Sequence, residues 1–311
     1  MSCIIALFRW GVDINKKRIL YTLTIMVNRI EQVLIDHPKM LGKVTEWITN
    51  TPRLNVEGAD HIKHAQDWLT HGSLVLYFAP HTTIWDPLIV SRVIRLHLTD
   101  RPFYWISSIK FTQEMKEFGD LGMASVASIE SARRMGFTLL PVVQPYLIRE
   151  FARKVPREDI KKVIDECRRI NEETLHTAKN VLQQEGAMVA ISIEGTRGTT
   201  GGLLPAQNGI EELLQEEQIR AIPVTLLGVH QIQTDRRIGF SGLNPLVHVG
   251  IRFGELVSLT EAQEQVKLYQ WEDGRSVSIA DVLMAHLYQG GLTQILPGID
   301  PQGMYSTFRV R

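Results

Sequence analysis

Residues 73–87 read Ser-Leu-Val-Leu-Tyr-Phe-Ala-Pro-His-Thr-Thr-Ile-Trp-Asp-Pro. The run 74–80 is apolar and of strand length, so it reads as a buried strand. It delivers His81 and Asp86 to a strand's carboxyl edge, where α/β proteins build their sites. Outward from it, apolar runs of similar length recur at 103–107, 187–193, 221–227 and 247–253, with 73–79 as the first of the set. Helical patterns separate them. In residues 157–185, Ile160, Val163, Ile164, Cys167, Ile170, Thr174, Ala178 and Val181 recur at the spacing of one long helix or two short ones, with Gly186 beyond the end as a C-cap. A further helix is expected over 276–289, stopped by Gly290-Gly291. Strands alternating with helices predict an α/β fold: a mixed, largely parallel central sheet flanked by helices.

The chain has 311 residues, 44% hydrophobic and 22% charged, enough to bury a large core. Lys plus Arg and Asp plus Glu are 34 each. With no net charge there is no general field to attract nucleic acid, and none is expected as a partner. Cys3 and Cys167 are far apart, lack metal-ligand spacing and form no disulfide framework, which fits a reducing cytoplasm. No run reaches the roughly 20 apolar residues of a spanning helix. The first ten residues are apolar but lack the basic start and cleavage site of a signal peptide. In residues 18–35, Leu20, Leu23, Val27, Ile30 and Leu34 fall on one helical face, and 39–49 is a second helical stretch. Residues 1–65 are therefore expected to form an N-terminal helical cap, and 66–311 the main domain.

A histidine and an aspartate five residues apart cannot meet along an ideal helix, since five steps turn the chain about 500°. A turn between strand and helix would bring them together. Asp86 would then hold one ring nitrogen of His81, leaving the other to take a proton from an alcohol. A plainer reading ends the strand at His81 and uses Asp86 to cap a helix opening at Pro87. With ten histidines in the chain, about half a chance match to this spacing is expected. Indeed His230 and Asp235 repeat it after the apolar run 222–229.

Glu194-Gly195-Thr196-Arg197 directly follows another expected strand and so reaches the same carboxyl edge. A given four-residue string arises by chance in roughly a few per thousand chains of this length. Together these segments resemble the phospholipid and glycerolipid acyltransferase superfamily, which carries H-x-x-x-x-D followed downstream by E-G-T-R. That order selects His81 over His230. Residues 201–209 resemble the family segment ending in P-F-K-x-G, Ile222-Pro223-Val224 its I-P-V strand, and 252–255 its closing strand. The resemblance covers about residues 70–257.

It implies a fatty acyl group moved from acyl-CoA or acyl-carrier protein to the hydroxyl of a glycerolipid-type acceptor, lysophosphatidate or glycerol 3-phosphate. His81 would be the general base, Asp86 its orienting partner, and Arg197 the cation on an acceptor phosphate, with Glu194, Gly195 and Thr196 shaping that pocket. An arginine fork suits phosphate. Three departures stand out. Ser192-Ile193 replace the family's Phe-Pro, Gln207 replaces its lysine, and residues 121–128 reach no arginine before Arg133. Lys110 or Arg133 could restore the missing charge. No G-x-S-x-G elbow and no cysteine in a nucleophile context occur, so transfer is expected to be direct, without metal or cofactor. Alternatives are a catalytically weak lipid-binding protein of the same fold and an acyl-thioester hydrolase. Phe8 and Trp10 in the apolar start and the basic Lys16, Lys17 and Arg18 could dock the N-terminal cap on a bilayer, placing the protein peripherally at the inner face of a membrane; the alternative for the 18–35 helix is packing on the main domain, with residues 1–12 left to meet the membrane.

Overall fold

The structure is a computed structural model that describes residues 54–82, 86–108, 132, 136–195, 203–229, 248–271, 276–287 and 308–310. The helices expected over 18–35 and 39–49, the basic triplet at 16–18, and His230 and Asp235 lie outside the described residues, as do Arg133 and 121–128.

Seven strands form one sheet: β1 (Leu54–Glu57), β2 (Ser73–Ala79), β3 (Phe103–Ser108), β4 (Phe137–Val142), β5 (Met188–Ser192), β6 (Ile219–Leu227) and β7 (Val249–Phe253). Their spatial order is β1-β7-β6-β2-β5-β3-β4. Five strands, from β6 to β4, run parallel. The single reversal is between β6 and β7, and β1 follows β7 in parallel. The mixed, largely parallel sheet read from the sequence is therefore present. All five expected strands form, with their ends moved by one or two residues at most. β1 and β4 were not anticipated. β1 lies within the interval 1–65, so the sheet begins ahead of the 65/66 division. A small hairpin pairs β8 (Tyr269–Trp271) with β9 (Phe308–Val310).

β2 is central and wholly buried, which explains its unbroken apolar run: both faces are covered, so no polar alternation survives. Leu74, Leu76 and Phe78 enter one core with α1 (Ala59–Trp68) and α2 (Asp86–His97). Val75, Tyr77 and Ala79 enter the other, with the sheet-spanning part of α4 (Ile160–Leu182), α5 (Leu259–Leu268) and α6 (Ile279–Leu287). α4 buries Val163, Cys167, Ile170, Thr174, Ala178 and Val181, the stripe its spacing predicts. It stops at Leu182, short of the expected 185. Gly186, at φ +74°, serves the turn into β5 rather than the helix cap, and its N–H donates to the Gly72 carbonyl at 2.8 Å. α3 (Pro145–Lys154) packs on α4.

Candidate active site

β2 and β5 are parallel neighbours, with Phe78 opposite Ser192. Both chains therefore leave the sheet at one edge, and the residues just beyond them meet. Glu194 is fully buried. Its Oε2 accepts the backbone N–H of His81 at 2.5 Å, and its Oε1 accepts the N–H of Leu204 at 2.7 Å. One carboxyl group thus ties the exit of β2, the exit of β5 and the segment from Leu203 onward. The Gln207 N–H, donating to the Ile193 carbonyl at 2.8 Å, closes the same junction. Gly195 is at φ +66°, and a Cβ there would stand 2.8 Å from Gln207 Cγ. Glycine meets both demands, the left-handed backbone and the close approach.

His81 Nδ1 lies 2.9 Å from Asp86 Oδ2. The same oxygen accepts the Thr82 N–H at 2.6 Å. Asp86, the first residue of α2, thus reaches back across the turn to the ring, and the contact that an ideal helix forbids is made. Against an ionised carboxylate, which only accepts, Nδ1 is the donor, and in the neutral ring Nε2 then presents its lone pair. No hydrogen bond to Nε2 is formed among the described residues. The Asp86 side chain is 0% exposed and that of His81 16%, so the ring, but not its partner, is open to a ligand. Phe78 meets the imidazole edge-on, with centroids 5.5 Å apart at 74°, and Trp105 backs Phe78 at 5.3 Å. This apolar wall fixes the ring plane.

Burial pushes the Glu194 carboxyl up to about 8, and the charge of Asp86 adds to the rise. The two N–H donors pull the other way without winning. Cys167 is buried in α4 and burial raises its thiol, an environment opposite to that of a reactive thiolate. Among the described residues no three His, Cys, Asp or Glu side chains converge to hold a metal ion.

Of the residues singled out by sequence, His81, Asp86, Glu194 and Gly195 come together. Thr196, Arg197 and Lys110 lie outside the described residues. Phe78 and the Thr82 and Leu204 N–H groups were missed, and Gln207 was read only as the position of an absent lysine, not for its backbone N–H. Alternation along β2 puts Phe78 on the face of Leu74 and Leu76, but nothing local marks Leu204. Ser192, where the superfamily has phenylalanine, is buried, and its hydroxyl finds no partner among the described residues.

A family description of acyltransferases matches residues 53–227, from the approach to β1 through the end of β6. The chain belongs to this acyltransferase family. The match covers more than half of the chain and includes both motif segments, so the superfamily resemblance read from them holds. Among solved structures, this acyltransferase is similar to the 1-acyl-sn-glycerophosphate (LPA) acyltransferase PlsC from Thermotoga maritima. The two are 12% identical with a TM-score of 0.43, over 95% of this chain and 89% of that one. No curated protein matches it in sequence. Among the described residues, no helix of the acyltransferase is long and apolar enough to cross a membrane.

Proposed function

We propose that the protein transfers a fatty acyl group from an acyl thioester, acyl-CoA or acyl-carrier protein, to the hydroxyl of a glycerolipid-type acceptor such as lysophosphatidate or glycerol 3-phosphate. The carrying observation is the 2.9 Å contact of His81 Nδ1 with Asp86 Oδ2, which leaves Nε2 without a partner on a ring still open to ligand. Nε2 takes the acceptor's hydroxyl proton, and the alkoxide oxygen attacks the thioester carbonyl carbon. The tetrahedral intermediate collapses, the C–S bond breaks, and the departing thiolate receives the proton from the imidazolium. Asp86 holds the ring's tautomer and stabilises its positive charge. Glu194 positions His81 through its backbone, and Arg197, with Thr196 and Gly195 beside it, binds an acceptor phosphate; Lys110 supplies a second cation. No cofactor takes part.

We place the protein peripherally at the cytoplasmic face of a membrane, with the segment ahead of β1 as a docking cap. Incubating the protein with acyl-CoA or with acyl-carrier protein as donor, with and without lysophosphatidate or glycerol 3-phosphate, tests the reading by thiol release and by the ester formed. Release that requires acceptor and yields its acyl ester is the expected result. Equal release without acceptor would make the protein a thioester hydrolase, and no release with either donor would make it a lipid-binding protein.

A further inference from the structure

α4 is longer than the sheet it covers. At its C-terminal end, the Ser73 hydroxyl at the start of β2 donates to the Leu182 carbonyl. Eleven residues earlier on the helix, Asn171 brackets Val143, just past the end of β4. The Val143 N–H donates to Asn171 Oδ1 at 2.7 Å and Asn171 Nδ2 donates to the Val143 carbonyl at 3.1 Å. Residues 171–182 thus span the strands, and residues 160–170, about 15 Å of helix, overhang the carboxyl edge. α3 packs against this overhang in a small core of its own, built from Val143, Leu147, Phe151, Val163, Cys167 and Ile170. The result is a two-helix ledge on the edge where His81 stands.

The ledge carries an unusual face. Tyr146, Arg149 and Arg153 recur on one stripe of α3, all exposed, and the exposed Arg157 follows in the next turn. On neighbouring α4, Lys161 and Arg169 pair with carboxylates of their own helix, and Lys162 pairs with Asp159 just ahead of it. No such pair engages Arg149, Arg153 or Arg157 among the described residues. In a chain of zero net charge, these three guanidiniums against the exposed carboxylate of Glu158 leave a local excess of positive charge rather than part of a general field.

We propose that this ledge docks the protein on an anionic bilayer, its arginines against lipid phosphates and Tyr146 at the headgroup level. The proposal rests on the glycerolipid reading, which places an acceptor in a membrane beside His81. A convex helix and turn suit a flat charged surface, whereas a stable protein partner needs about 800 Å² per side, more than ten residues of helix offer.

The test is flotation of the full-length chain with phosphatidylcholine vesicles, with and without phosphatidylglycerol, at low salt. Wild type is expected to prefer the anionic vesicles, and Arg149→Gln/Arg153→Gln/Arg157→Gln to bind them about a hundredfold more weakly. Acylation of water-soluble glycerol 3-phosphate should be unchanged in that variant. All three side chains are exposed; should the triple variant melt early, the single variants, each worth about fivefold, carry the comparison. Equal flotation of variant and wild type, or no preference of wild type for anionic vesicles, overturns the proposal. So does a raised KM for acyl-carrier protein with flotation unchanged, which would assign the ledge to an acidic protein. Loss of acyl transfer in wild type would end the glycerolipid reading while leaving the flotation result to stand.

Discussion

The two edges of the sheet use polar side chains in opposite ways. At the amino edge, cations and donors are spent on backbone carbonyls. Arg95 donates to the Asp100 carbonyl, Arg101 to that of Glu185 at 3.1 Å, and Trp68 Nε1 to those of Ser73 and Gln218 at 3.2 Å each. The guanidiniums lie so close to the chain that a Cβ at Gly136 or Gly186 would stand 2.8 or 1.7 Å from Nη1 of Arg95 or Arg101. A shallow cleft lies there, lined by Leu69, Thr70, Leu96 and the two arginines among others, but those two arginines already hold loops. At the carboxyl edge, buried carboxyls are spent on N–H groups and on one imidazole nitrogen, and the second nitrogen is left over. A concave surface is therefore a poor guide to chemistry in this molecule; an oriented group with unused capacity is a better one.

The largest effect separating the edges should come from His81→Ala, which is expected to lower acceptor-dependent thiol release about a thousandfold. Release at the wild-type rate would put the chemistry elsewhere and break the comparison.

Glu194→Gln sharpens it. The amide oxygen can accept one of the two N–H groups, but its NH2 then faces the other donor, so activity should fall roughly tenfold and stability by about 2 kcal/mol. Its pH signature is specific. The wild-type carboxyl, at 4.5 when exposed and about 8 when folded, binds its proton more tightly in the native state. Its contribution to stability is complete below 4.5, declines as pH rises, and is lost above about 8. Melting temperatures from pH 5 to 9 should fall more steeply for wild type than for the variant; parallel curves would show that Glu194 does not titrate in this range.

The smallest effect belongs to the amino edge. Gly186→Ala meets φ +74° and Arg101 at once, and should cost about 2 kcal/mol of stability in a denaturant titration. Activity per folded molecule should not change. A loss of turnover in folded protein would mean the two edges are coupled.

Local pattern determined more of the fold than of the site. β2 and the buried stripe of α4 could be read residue by residue, because burial on both faces or on one helical stripe leaves its period in the sequence. β4 escaped because, at the sheet edge, only Phe137 and Leu140 of its six residues are buried, so it leaves no continuous buried run. β1, four residues long at the other edge, is too short to carry a period. The His81–Asp86 pair was legible because a turn lets five residues close on themselves.

Sequence alone established the strand that carries His81, the residue types that can move a proton, and the order of the two motifs. The tertiary structure decided that β5 lies beside β2, so that Glu194 reaches the His81 N–H and Leu204 closes the junction. It also decided that β7 reverses and that α4 overruns the sheet. Periodicity records whether a side chain is buried, but not which distant strand buries it, since many pairings satisfy the same pattern and only packing of the whole chain selects one.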